Sequence, residues 1–400
     1  MDLLDNTVKT YAWGSVTAIP ELLGTEPTGE PQAELWMGAH PGAPSRVDRG
    51  AGPVSLAEVI AADPAAELGG ATAERFGPRL PFLLKLLAAQ SPLSLQVHPD
   101  RTQAEAGYAD EERRGVPADA PHRTYKDANH KPELICALTP FEGLCGFRPA
   151  AATADLLDGL GVDQLKPYAD LLRARPESGA LREVFTAVLT ADPAAVADTA
   201  AHAAEAADRL ATTRPDHPHA AACAAYASLA RHYPGDPGVV AAMLLNHVRL
   251  APGEALFLGA GVPHAYLHGL GVEIMANSDN VLRCGLTPKH VDVPELLRIV
   301  RFEAGDPGVL RPAPEQGGEE RYATPIDEFR LSRYVLTGGP GDPLPTGAAQ
   351  ILLCTGGRVT LRAEDGGELV LDPGRSAYVP AGERIVPAGP GTLFRATTAG

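Results

Sequence analysis

Pro252-Gly253-Glu254-Ala255-Leu256-Phe257-Leu258-Gly259-Ala260-Gly261 has a near copy further along the chain, Pro373-Gly374-Arg375-Ser376-Ala377-Tyr378-Val379-Pro380-Ala381-Gly382. Each copy reads as a tight turn, a short strand and a second glycine-bearing turn. Hairpins of this kind belong to the double-sheet all-β class, the jelly rolls. Three residues past the last glycine, the first copy has His264 and the second has Ile385. Two β-barrel domains are therefore expected, only the first with a metal-type ligand at this point.

Outward from the repeat, the texture of the chain changes twice. The first 148 residues are rich in Gly and Pro between short apolar runs, as many short strands joined by turns would be. One helix is expected there, opened by the Asp100/Gln103 capping-box pattern and running to Arg114. From Ala150 to His232, Ala, Leu, Asp and Arg dominate with helical periodicity. That stretch predicts an all-helical insertion, closed by Tyr233-Pro234-Gly235-Asp236-Pro237-Gly238, with strands resuming at Val239. A further helix is expected after Asp292, with Pro294 in its first turn, and 305–318 reads as a linker. The resulting division is a first barrel from 1–149 and 239–315, a helical domain at 150–238, and a second barrel at 316–400. The hairpin texture is similar to that of cupin-type jelly rolls. The fold class is thus mainly β with a helical insertion: two cupin-type barrels plus an all-α domain.

Composition narrows the function. Four hundred residues suggest more than one domain. No run of about eighteen or more apolar residues occurs, so no membrane span is expected. Met1-Asp2-Leu3-Leu4-Asp5-Asn6 has neither a basic region nor an apolar core, so no signal peptide is expected there. The five cysteines are scattered and never spaced as CxxC. This fits a reducing cytoplasm and argues against both a disulfide scaffold and a cysteine-built zinc site. A net charge of −16 argues against nucleic acid as a partner. It leaves a small anion open, because surface charge is screened beyond roughly 8 Å. A lysine or arginine about 4 Å from a phosphate contributes on the order of 4 kcal/mol before desolvation.

Four clusters could carry chemistry. In Leu93-Ser94-Leu95-Gln96-Val97-His98-Pro99-Asp100, a strand's period of two puts Leu93, Leu95 and Val97 on one face. Ser94, Gln96 and His98 fall on the other, as in the wall of a polar pocket or a half-exposed strand. His130-Lys131-Pro132-Glu133-Leu134 places Lys131 and Glu133 on one face if extended, which Pro132 favours. Val262-Pro263-His264 sets a histidine just after a turn. The run from Glu273 to Arg283 adds a carboxylate and a guanidinium. Singly, Glu133 reads as well as a surface charge, His264 as a satisfied core histidine and Arg283 as an ion-pair member. Together, Gln96, His98, Glu133 and His264 form a two-nitrogen, two-oxygen donor set suited to zinc or a similar divalent ion. Lys85 stands inside Phe82-Leu83-Leu84-Lys85-Leu86-Leu87, where an ammonium must either snorkel outward or meet an anion.

These residues lie in an ordered series of motifs that resembles the type I mannose-6-phosphate isomerases, the zinc-dependent, cupin-fold phosphomannose isomerases. The series runs through Tyr11–Ser15, Glu34–Pro41, Ser94–Asp100, Asn129–Leu134, Phe141–Pro149, Val262–Tyr266, Glu273–Asn280 and Arg283–Lys289, covering roughly residues 1–300. The last quarter matches only in texture. The resemblance implies one Zn2+ per chain on Gln96, His98, Glu133 and His264. It implies that Lys85, Ser94, Lys131, Glu273 and Arg283 face the substrate. Trp13 and His40 lie in family motifs without an assigned role, and Cys284 stands where the family commonly has alanine.

The implied activity is the reversible isomerisation of mannose 6-phosphate to fructose 6-phosphate in the cytoplasm by a monomer, feeding mannose use and GDP-mannose and glycan synthesis. A proton moves between C1 and C2 through a cis-enediol(ate) after ring opening. The expected catalytic residues are Arg283 for enediolate charge, Glu273 for proton transfer and Lys131 as an alternative to it. Lys85, Ser94 and Lys131 are the candidates for phosphate binding or ring opening. Two other classes fit a His/Glu cupin: a metal-dependent oxygenase and a non-catalytic sugar-phosphate-binding protein. The cations at 85, 131 and 283 disfavour the first, and the retained metal set and polar pocket disfavour the second.

Overall fold

A computed structural model describes residues 1–399. Antiparallel pairing dominates, in a ten-stranded sheet, a nine-stranded sheet and a small two-stranded one. Among the described residues no helix is long and apolar enough to cross a membrane.

The strand His264–Ala276 is the spine of the ten-stranded sheet. Its second half pairs with Phe82–Ala89 on one side and Glu133–Ala137 on the other. Its first half pairs instead with Phe141–Phe147, and His264 itself with Gln96. The change of partners occurs around Gly269, whose φ is 126°. A Cβ there would lie 2.8 Å from the Pro140 carbonyl oxygen, so glycine lets the strands cross this closely. One strand thereby carries side chains into two layers.

The repeated segment folds alike in both copies. Ala255–Leu258 and Ser376–Val379 are four-residue strands. Each leads to a thirteen-residue strand, His264–Ala276 in one sheet and Ile385–Thr397 in the other. The turn glycines Gly253 and Gly374, and Gly261 and Gly382, all have positive φ. The sequence similarity therefore reports a shared local structure, with His264 and Ile385 each opening the long strand.

The two sheets share a core. Leu84, Leu86, Val272 and Ile274 of the ten-stranded sheet pack with Tyr322, Ile351, Tyr378 and Phe394 of the other. The nine-stranded sheet also takes in the strand Asp2–Leu3, which pairs with Ser376–Val379. A second core joins the helices to the back of the site strands: Phe185, Tyr226 and Leu229 cluster with Leu95, Val97, Leu282 and Cys284.

Several expectations need correction. Besides Arg101–Arg113, the first 148 residues hold helices at Ala18–Leu23, Leu56–Ala62, Pro64–Leu68 and Gly70–Phe76. Each is five to seven residues long, too short to show a periodic stripe. The Ser55/Glu58 capping box was nonetheless readable, and it forms. Helix also extends past residue 238, through Gly238–Ala242, and strand resumes only at Leu245. Val239, Val240, Ala241 and Ala242 are all fully buried, so no polar face marks the helical period. The expected strand around Gln96 spans only Leu95–Val97. Leu95 and Val97 share the expected apolar face, which points into the helical core, but Leu93 packs against a different cluster, the one containing Phe141 and Tyr266. The helices after Asp100 and Asp292 form as read, each capped by its aspartate.

Candidate metal centre and substrate cleft

Cross-strand pairing gathers the singled-out residues. On Leu95–Val97, Gln96 has His264 opposite it on one neighbour and Arg283 on the other. Lys85 stands opposite Glu273 on one side and Trp36 on the other. Glu133 stands opposite Met275. Directly opposed residues share a sheet face, so residues far apart in the chain face a common interior.

His98, Glu133 and His264 converge, with ligand atoms all within 4.8 Å of one another, and all three are buried. The imidazole Nε2 atoms of His98 and His264 lie 3.3 and 3.4 Å from the two Glu133 oxygens. Yet both Nε2 atoms and Glu133 Oε2 have no hydrogen-bond partner. The tautomers follow from the other ring nitrogens. His98 Nδ1 donates to the Asn280 carbonyl at 2.8 Å, and His264 Nδ1 donates to that of Val262 at 2.9 Å. A carbonyl can only accept, so each Nε2 presents a bare lone pair, the ligand form of histidine. Burial pushes His98 down to about 4, keeping it neutral although Glu133 favours its charged form. Burial opposes charge on Glu133, but contacts with the two imidazoles and the Lys131 ammonium 3.5 Å away hold the carboxyl well below the usual range. Three buried donors without partners are costly as they stand. Two imidazole nitrogens and a carboxylate suit zinc.

Lys85 meets anions rather than snorkelling. Its Nζ lies 2.9 Å from Glu273 and 3.6 Å from Glu34, which accepts from Trp36 Nε1 at 2.6 Å. Burial alone would lower the Lys85 pKa, but Glu273, Glu34 and Glu133 outweigh it and raise it. Burial, joined by Glu133 and Glu34 and opposed by Lys85, raises the Glu273 carboxyl. Both residues are buried, and neither lines the open cleft described next.

That cleft, about 380 Å³, is bordered by Ser94, Gln96, Lys131 and Arg283, with Tyr11, Trp13 and Lys289 among the rest of its wall. Lys131 Nζ lies 3.5 Å from Glu133, linking the cleft to the metal group. Among the described residues no carboxylate pairs with Arg283 or Lys289. Burial lowers the Arg283 pKa, and the adjacent Arg283, with some burial, lowers that of Lys289. Two like charges held together without a counter-ion suit an anionic ligand. A larger hollow of about 440 Å³ has its cations mostly matched: Arg75 by Asp327 and Arg101 by Glu328. Lys289 and Glu34 carried no role in the sequence reading, although both lie inside the motifs quoted there.

Comparison with known proteins gives one answer along the whole chain. Residues 1–150 match the family model described as phosphomannose isomerase type I, catalytic domain. Mannose-6-phosphate isomerase of Escherichia coli K12 is 43% identical over 399 residues, 99% of each chain. The chain belongs to the mannose-6-phosphate isomerases. The family likeness extends to Arabidopsis thaliana, whose mannose-6-phosphate isomerase 1 is 33% identical over 95% of this chain and 89% of its own. A solved zinc-bound mannose 6-phosphate isomerase superposes with a TM-score of 0.90 at 39% identity, covering 99% of both chains. A single-residue variant of the Salmonella typhimurium phosphomannose isomerase gives 0.90 at 40% identity, over 100% of this chain and 99% of that one. The isomerase likeness thus includes the last quarter, where motifs alone were uninformative.

Proposed function

We propose that this chain interconverts D-mannose 6-phosphate and D-fructose 6-phosphate with one zinc ion held by Gln96, His98, Glu133 and His264. The observation that carries this reading is the buried His98, Glu133 and His264 group with its partnerless donor atoms. The fold is read as two cupin-type jelly-roll barrels divided at the positions given above, with the helical region bracing the strands of Gln96 and Arg283. Zinc in this site would supply a Lewis acid for the sugar's C1 and C2 oxygens.

The other steps fall to side chains. From aldose to ketose, the C2 proton leaves, a cis-enediol(ate) forms and a proton arrives at C1, while the O2 proton passes to O1. Glu273 is assigned the carbon-bound proton although it lies buried behind the cleft wall rather than on its surface; burial and nearby carboxylates favour its protonated form, and Lys85 at 2.9 Å fixes its position. Arg283 stabilises the enediolate charge, since no carboxylate neutralises it beforehand. Ser94 and Lys131, on the cleft wall, serve ring opening. Lys289 is exposed while the metal group is buried, so the sugar phosphate lies with its phosphate at the mouth and C1 and C2 inward.

A coupled isomerase assay before and after chelation tests the central reading. Activity should vanish with the metal and return on adding zinc; turnover that survives complete metal removal defeats it. Lys289→Ala should raise KM for mannose 6-phosphate about tenfold, equivalent to about 1.4 kcal/mol, with kcat changed less than about threefold. An unchanged KM would move the phosphate elsewhere.

A further inference from the structure

The turn between the strands His264–Ala276 and Leu282–Gly285 contains Asn280, which is fully buried. Its side-chain oxygen accepts from the backbone N–H of Lys126 at 2.7 Å and of Asp127 at 3.2 Å. Its side-chain nitrogen donates to the carbonyls of Asp127 at 2.7 Å and Asn129 at 2.8 Å. Both lone pairs and both N–H groups are thus satisfied. Neighbouring bonds reinforce the clasp: Ser278 Oγ donates to the Asn129 carbonyl at 3.1 Å, and the Asp279 N–H donates to Asp127 at 2.8 Å. The backbone carbonyl of the same Asn280 is the acceptor for His98 Nδ1 at 2.8 Å. One residue therefore grips the loop leading into Lys131 and Glu133 with its side chain, and orients His98 with its main chain.

We propose that Asn280 is a positioning residue for the metal centre, fixing His98 relative to the loop that delivers Lys131 and Glu133. No other residue type reproduces the clasp. Aspartate has no donor for the two carbonyls and would set a carboxylate against them, and leucine would strand two buried N–H groups and two carbonyls. A carbonyl acceptor for a ligating histidine normally sets ring orientation, and loss of such outer support weakens metal binding about 10–100-fold. The same residue precedes Arg283 by only three positions, so the clasp also anchors the start of that strand.

The proposal rests on the zinc reading, and one experiment separates the two. Zinc dissociation constants are measured by chelator competition for the unaltered chain, for Asn280→Ala and for Val184→Ala, a core truncation among the helices. The expected result is a zinc Kd raised at least about tenfold in Asn280→Ala and changed less than about twofold in Val184→Ala, with melting temperatures recorded for both. If the unaltered chain binds no zinc, the functional reading fails. If it binds zinc and folded Asn280→Ala binds as tightly, only the positioning role fails. Equal weakening in both variants would make the effect general destabilisation and overturn the role as well. Should Asn280→Ala not accumulate as folded protein, Asn280→Ser, which keeps one donor and one acceptor, is read in the same assay against the same thresholds.

Discussion

Glu133→Ala should yield a folded protein that neither retains zinc nor turns over mannose 6-phosphate at a useful rate. The two imidazoles are held independently of the carboxylate, through Nδ1 bonds to the carbonyls of Asn280 and Val262, so their placement survives the substitution. What disappears is the only carboxylate in the three-residue group, and with it the partner 3.5 Å from Lys131. Outer support of a ligand is worth about 10–100-fold in metal affinity, and a ligand itself should exceed that. Losing a Lewis acid removes several kcal/mol of transition-state stabilisation, so kcat should fall on the order of a thousandfold. Metal content after dialysis, circular dichroism and the coupled assay measure the three parts. Stoichiometric zinc with activity within about tenfold of the unaltered chain would remove Glu133 from the centre.

Arg283→Ala is the second large effect. The guanidinium is half-buried on the cleft wall, and burial already weighs against its charge. A donor that meets charge formed only in the transition state contributes about 2.7–4 kcal/mol, or about 10²–10³ in kcat. The loss should appear mainly in kcat, with KM nearly unchanged, because the neutral sugar carbons draw little on Arg283 before the enediolate forms. A rise in KM with kcat preserved would instead make it a ground-state phosphate ligand. Arg283→Lys should recover only part of the rate, since one ammonium does not reproduce the planar fork. Removal of Arg283 also relieves the repulsion that lowers Lys289, so the Lys289 pKa should move back upward.

Legibility followed the range of the signal. His98, Glu133 and His264 could be picked out because each stands in a short run whose period or turn gives its side chain a direction. Their convergence depends on a strand that changes partners at Gly269, and no local pattern announces that. Lys85 was recognisable as an anomaly, but its partners sit on two other strands, at Glu273 and Glu34. Lys289 looked like any solvated lysine. Its significance comes from Arg283 beside it and from the lack of a carboxylate between them. The missed helices at Leu56–Phe76 failed for a different reason: they are short, and their packing rather than their propensity holds them.

The small strand Asp2–Leu3 has a consequence for how the molecule is made. Its hydrogen-bonding partner is Ser376–Val379, and the Asn6 side chain donates to Ser376 Oγ, 370 positions later. At about 5–20 residues per second on the ribosome, the first strand waits roughly twenty seconds to over a minute for its neighbour to be synthesised. Once Ile274 has been made, the face bearing Leu84, Leu86, Val272 and Ile274 still waits for Ile351, Tyr378 and Phe394 to cover it. A nascent chain stalled after the zinc donors have emerged would carry every ligand and still expose an apolar sheet face. Premature termination upstream of Ser376 should therefore produce a sticky, chaperone-dependent fragment rather than a smaller isomerase.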